Sequence, residues 1–100
     1  MAILSAKETF DKITSFIDNH SGNYAEWYAG IASDPEERLF EEHKVSKDSD
    51  FSIYQRCPNK QSAKSVEEAL LKLGCDGGIG GGDESSVFAY AYRKSANTDP

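Results

Sequence analysis

The stretch Trp27-Tyr28-Ala29-Gly30-Ile31-Ala32-Ser33-Asp34-Pro35-Glu36-Glu37-Arg38-Leu39-Phe40-Glu41-Glu42-His43 leaves this chain few ways to fold. It reads as a short apolar strand, a turn, and a helix whose start is marked three times. Asp34 is a good N-cap, Pro35 suits the first helical position, and Glu37 sits where a capping box places its acid. A strand feeding a capped helix sets Tyr28 and Arg38 near one edge of a sheet.

The rest of the chain supplies partners for that unit. Ser5-Ala6-Lys7-Glu8 is a capping-box signature. Ala6, Phe10, Ile13 and Ile17 then repeat at helical spacing, and Asn19–Asn23 ends the helix. His20 lies at that helix's C-terminus, where a positive ring complements the dipole. Tyr24–Ala32 is predicted as the first strand and Pro35 to about Lys44 as the second helix, followed by a polar loop over 45–50. Phe51–Cys57 alternates apolar and polar residues, the mark of a half-buried strand, and Pro58-Asn59 stops it. A third helix runs from Lys60 or Ser62 to Leu73, with Ala63, Val66, Leu70 and Leu73 on one face and Gly74 as its terminal glycine.

The glycine-rich stretch from Gly74 to Glu84 follows a helix and opens a strand. A phosphate loop does the reverse and carries Gly-Lys-Ser/Thr, so this stretch reads as a flexible connector able to move over a ligand. Ser86–Arg93 is the last strand, with Phe88, Tyr90 and Tyr92 on one face, and residues 94–100 are expected to fray.

The order is α-β-α-β-α-β in a single domain, 1–100. Parallel sheets need strands that are apolar throughout, and these are mixed. The expected class is therefore α+β: a small three-stranded antiparallel or mixed sheet packed with about three helices. A chain of 100 residues can bury roughly 60–65% of its unfolded surface in one modest core.

Charge and cysteine content narrow the function. The net charge is −6, and residues 1–42 carry three bases against nine acids. Binding of nucleic acid by a general basic excess is disfavoured, because phosphate neutralisation supplies most of that affinity. A polyanion would have to be met by a local patch. No apolar run approaches the ~18 residues of a membrane span, and the N-terminus lacks the pattern of a signal peptide, so a cytoplasmic location and no membrane partner are expected. Cys57 and Cys75 have neither CxxC spacing nor a neighbouring His, and read as reduced, small apolar residues.

Tyr28-Ala29-Gly30 through Arg38-Leu39 resembles the second half of the motif of the GIY-YIG nucleases. In that family a Tyr-x-Gly strand runs through a turn into a helix with an essential Arg, ten residues on, as Tyr28 and Arg38 stand here. Ser52-Ile53-Tyr54-Gln55-Arg56 and Ser62–Leu70 are similar to the family's third strand and its metal-binding helix. The resemblance implies Glu67 as the single carboxylate for Mg2+ or Mn2+. It covers residues 26–73. The family's first strand would precede Tyr28, where this chain has a helix. Phe88–Arg93 is similar to that strand in character, which implies a permuted arrangement with the C-terminal strand in the centre and Tyr90 in the place of the GIY tyrosine. The His that often ends the family's helix is displaced: Glu42 takes its helical face and His43 follows one residue later.

Helical phase is consistent with the choice of carboxylate. At about 100° per residue Glu67 flanks the Ala63/Val66/Leu70/Leu73 face, whereas Glu68 points away from it. Mg2+ is served by one carboxylate, waters and substrate phosphate oxygens. An Arg fork suits a phosphate. A tyrosine orients or deprotonates a water only if its pKa falls well below ~10.

Plain structural roles are also open to each residue. Arg38 and Glu42 form an i, i+4 pair, Tyr28 and Tyr90 suit strand packing, and Glu67 can pair with Lys64 or Lys60. Two functional expectations follow. One is a phosphodiester- or phosphate-directed site at Tyr28, Arg38, Tyr90 and Glu67, acting as a metal-dependent hydrolase. The other is a non-catalytic acidic module on the same scaffold, which binds a protein partner, regulates it, or mimics nucleic acid.

Overall fold

The helix expected after Ser5 spans Ala6–His20 (α1) in the computed structural model, which describes residues 1–78 and 83–100. Ser5 Oγ accepts from the Glu8 N–H at 3.1 Å and the Glu8 carboxylate accepts from the Ser5 N–H at 3.0 Å, closing the capping box. Ile13 and Ile17 are fully buried on its inner face. Gly22, at φ +70°, ends it by donating back to the Ile17 carbonyl.

Strand β1 is Trp27–Ala32. The extended stretch expected from Tyr24 begins three residues late, because Tyr24–Glu26 is a 3-10 turn. Asn23 caps that turn by accepting from the Ala25 N–H at 3.2 Å. The remaining elements are β2 (Ser52–Arg56), α2 (Lys60–Lys72) and β3 (Phe88–Arg93). Asn59 caps α2 through the Ser62 N–H at 2.8 Å, and Gly74 follows it at φ +117°. Leu73, expected on the buried face of α2, lies past its last turn and is 47% exposed.

The fold is α+β, with one antiparallel sheet in the order β1-β3-β2. The last strand of the chain is thus the central one. Strand alternation divides the sheet into two unlike faces. Trp27, Ala29, Ile31, Ala89 and Ala91 face α1 and α2 and form the main core with Ile13, Ile17, Ala63, Val66 and Leu70. The alanines of β1 and β3 let the two helices sit close to the sheet. The opposite face carries Tyr28, Tyr54, Tyr90 and Tyr92, which pack with Ala32, Leu39, Phe40 and Val45 in a second cluster. Cys57 and Cys75 are buried free thiols. Among the described residues no helix is long and apolar enough to cross a membrane.

The helix expected from Pro35 to Lys44 departs from α geometry. Asp34 does cap it, accepting from the Glu37 N–H at 3.1 Å, but Glu37–Glu42 is wound as a π-helix, and the His43 N–H donates to the carbonyl of Arg38, five residues back, at 2.9 Å. The wide turn absorbs one residue. His43, expected one position late for the helical face of Arg38, is brought onto the sheet, and Glu42 stays exposed. Lys44 then turns the chain at φ +58°, and the Val45 N–H donates to the Leu39 carbonyl at 2.9 Å.

The tail expected to fray is instead docked. Lys94 N–H donates to the Glu26 carbonyl at 2.8 Å and Asp99 N–H to the His43 carbonyl at 2.7 Å. At the β1 edge, Asp76 forms a parallel bridge with Tyr28, which brings the start of the glycine stretch alongside the strand. The rest of the expected connector, 79–82, lies outside the described residues.

The π-turn makes a direct test possible. Deleting exposed Glu41 should return the segment to α geometry. The bond from Val45 to Leu39 then spans five residues, as in an ordinary left-handed helix stop. The shortened chain should keep its cooperative thermal transition at an unchanged or higher midpoint, with His43 still against Tyr90 by NMR. A lowered, broadened transition would show that packing requires the wide turn.

Candidate functional site

Four elements bring one group each to the edge of the tyrosine-bearing face. Tyr28 comes from β1, Tyr90 from β3, Arg38 from the π-helix and Glu67 from α2. These four side chains line one small cavity of about 60 Å³, together with Gly30, Ile31 and Gly78. That is space for a few waters. A wider groove of about 540 Å³ runs along Asp34, Glu36, Glu37, Phe40, Glu41 and Lys47. It has four carboxylates to one ammonium and none of the tyrosine and arginine side chains gathered in the smaller cavity.

Gly30 permits the assembly. It is paired in register with Tyr90, whose ring crosses directly over it. A Cβ at position 30 would stand 2.5 Å from Tyr90 Oη and 2.6 Å from Cζ. The glycine is required by this close approach, and through it the Tyr90 hydroxyl reaches both Arg38 and His43.

Arg38 is half-buried. Its Nη1 lies 3.5 Å from the Ile31 carbonyl and its Nε 3.2 Å from the Glu42 carboxylate, an ion pair without hydrogen-bond alignment at Nε. Burial works against its charge, but Tyr90 and Glu42 outweigh it, so the cation is reinforced. The i, i+4 pair foreseen between Arg38 and Glu42 is therefore present, and the guanidinium also meets the Ile31 carbonyl and the Tyr90 hydroxyl at the cavity.

Tyr90 is buried, and burial pushes its phenol well above the usual range; the neighbouring Arg38 only partly opposes this. The resting group is a phenol, not the phenolate that a tyrosine base would need. Its hydroxyl lies 2.8 Å from His43 Nε2. The His43 ring packs against those of Tyr28, Tyr90 and Tyr92, and Tyr28 also stacks on Tyr92 at 5.3 Å. Burial raises Tyr92 likewise. On the loop side, the Gly78 N–H donates to Tyr28 Oη at 3.2 Å.

Glu67 is only 4% exposed, while Glu68 faces solvent, as their helical phase requires. Burial raises the Glu67 pKa, and Lys64, 3.6 Å away, opposes the shift. Among the described residues there is no group of three or more His, Cys, Asp and Glu side chains able to cage a metal. A cation here would have one protein carboxylate and take its remaining ligands from water and substrate, a set that Mg2+ accepts and a structural Zn2+ site does not.

Sequence reasoning missed His43 and the tail as parts of the site. The i+5 placement of His43 carries no sequence signal of its own. Tyr92 was legible from its alternation with Tyr90. The chain matches no protein-family model and shows no significant match to curated proteins or solved structures.

Two stability measurements probe this geometry. Gly30→Ala should destabilise the fold by about 1–3 kcal/mol through overpacking against Tyr90. Adding Tyr90→Ala should cost less than the sum of the single changes in urea unfolding, because one variant relieves the other. Full additivity would contradict the crossing of ring and glycine. For Glu67, the folded-state pKa lies above the unfolded one. The stability tied to its protonated form is present below the unfolded value of about 4.3 and is lost as pH rises through the folded value. Glu67→Gln should therefore raise the melting temperature at pH 7 in a chelating buffer, with the gain shrinking toward pH 4.

Proposed function

We propose that the cavity is a phosphodiester- or phosphate-directed site and that the chain acts as a divalent-metal-dependent phosphodiester hydrolase of GIY-YIG-like type. The observation that supports this reading is the convergence of Tyr28, Arg38, Tyr90 and Glu67, drawn from four separate elements, on one cavity. Their plain roles do not require it. A surface ion pair, a packed tyrosine and a helix-flank glutamate have no reason to share a wall.

Each residue has a task its chemistry suits. Arg38 presents its guanidinium fork to a phosphate oxygen and stabilises charge as it builds there. Glu67 would hold Mg2+ or Mn2+, which would supply Lewis-acid polarisation of the phosphate and a more acidic water. The buried carboxylate fits that task, since a cation relieves the burial that disfavours its charge.

Tyr90 works as a relay. Its proton passes to the lone pair of His43 Nε2 while its oxygen takes the proton of an attacking water, so no free phenolate accumulates. Tyr28, fixed by Gly78 and by stacking on Tyr92, orients that water.

The acidic surface favours a second reading on a different observation. The 540 Å³ groove with Asp34, Glu36, Glu37 and Glu41 suits a basic protein surface rather than a polyanion. Here the chain is a non-catalytic module and the cavity is a relic of packing.

Nicking of supercoiled plasmid and cleavage of short oligonucleotides with Mg2+ or Mn2+ separate the two. Glu67→Gln should lower the rate at least about 100-fold while the fold gains stability, and Arg38→Lys should not restore an Arg38→Ala loss. Activity that persists in Glu67→Gln would remove the hydrolase reading. No cleavage in the parent chain, with capture of a basic partner that weakens as salt rises, would establish the module.

A further inference from the structure

His43 is gripped twice by one residue from the far end of the chain. The Asp99 N–H donates to the His43 carbonyl at 2.7 Å, and ring Nδ1 of His43 lies 2.8 Å from the Asp99 carbonyl. A carbonyl oxygen only accepts, so Nδ1 carries the proton, and in the neutral ring the lone pair sits on Nε2. Nε2 is the nitrogen 2.8 Å from Tyr90 Oη. The other neighbour of Nδ1, the Tyr92 hydroxyl at 3.2 Å, can donate or accept and so specifies neither form.

The segment that delivers this carbonyl is itself anchored. Ser95 N–H donates to Thr98 Oγ1 at 2.9 Å, closing a turn, and Asn97 Nδ2 donates to the Asp50 carboxylate at 2.7 Å. Asn97 also reaches the carbonyl of Lys44 at 3.4 Å. Lys44 is the one described non-glycine residue with positive φ, a conformation that L side chains rarely adopt and that needs external support. The tail therefore braces the corner that presents His43.

We infer that Ser95–Asp99 is a positioning strap for His43. It fixes the tautomer whose Nε2 lone pair takes the Tyr90 proton, and anything that draws the strap away disables that step. The consequence for turnover rests on the hydrolase reading above; the control of tautomer does not.

Long-range 1H–15N spectra of the histidine rings test it. The parent chain should show His43 as the Nδ1–H form. His20, whose Nδ1 lies 2.7 Å from the Phe16 carbonyl, serves as an internal reference of the same form. A chain ending at residue 94 should show His43 shifted toward the Nε2–H form with His20 unchanged. Its turnover should fall roughly ten- to a hundredfold, as for lost outer-shell partners, with KM held. The double variant Asn97→Ala/Asp99→Pro, which loses the side-chain anchor and the Asp99 N–H, should shift His43 the same way and carries the test if the shortened chain does not fold. His43 remaining Nδ1–H in whichever of these chains folds would overturn the strap. A shifted tautomer in a chain whose parent cleaves nothing would uphold the strap and remove the hydrolase.

Discussion

The ring of Tyr90 lying across Gly30 is the contact on which the rest of the site depends. It exists because one residue has no Cβ and because β3 is paired so that position 90 falls opposite position 30. A register slip of one residue would send Tyr90 into the helix-facing core and Ala89 or Ala91 into the cavity. The Gly30 gap sets where the phenol goes, and the phenol then ties Arg38 to His43. Without this crossing the guanidinium and the imidazole would lie on the sheet with nothing to join them.

The two faces of the sheet divide the labour. The helix-facing side is apolar, filled by alanines, isoleucines and Trp27, and closed by α1 and α2. Among the described residues, the other side is covered by a short π-helix, a loop and the tail. It can therefore hold polar groups that the main core would exclude, with Tyr90 partnered by His43, Tyr28 by Gly78 and His43 by Asp99. Glu67 sits at the seam. It belongs to the core helix but is turned toward the site, and burial disfavours its charge. Its place in the cavity therefore comes at some cost to the fold at neutral pH.

The sequence made legible whatever local periodicity controls. The capping box of α1, the alternation of β2 and β3, a sheet that is not purely parallel, and the burial of Glu67 rather than Glu68 all follow from spacing and cap chemistry. Tyr28 and Arg38 were visible for the same reason, as parts of one strand–turn–helix. Longer-range effects were hidden. The π-turn arises from fitting Leu39 to the second core while His43 reaches Tyr90, a compromise between distant residues that no window of sequence displays. The docking of the tail depends on the His43 and Lys44 carbonyls and on Asp50, none of which advertises a partner some fifty residues away. The 3-10 turn at Tyr24 was concealed by strand-forming residues whose backbone Asn23 captures first.

Placing the chain's last strand in the centre has a consequence for assembly. Among the three strands, β1 and β2 do not pair with each other, and each is paired with β3. Until Phe88–Arg93 is inserted there is no sheet, and both its partners lie far away in sequence, so the closing step is non-local and entropically costly. The same terminal segment carries Tyr90 and Tyr92 and continues into the strap that orients His43. Core and site therefore depend on one event. A partly folded chain with β3 absent would hold Tyr28, Arg38 and Glu67 on separate elements, without Tyr90 to close the cavity between them. The cavity that gathers Tyr28, Arg38, Glu67 and Tyr90 therefore forms only together with the sheet.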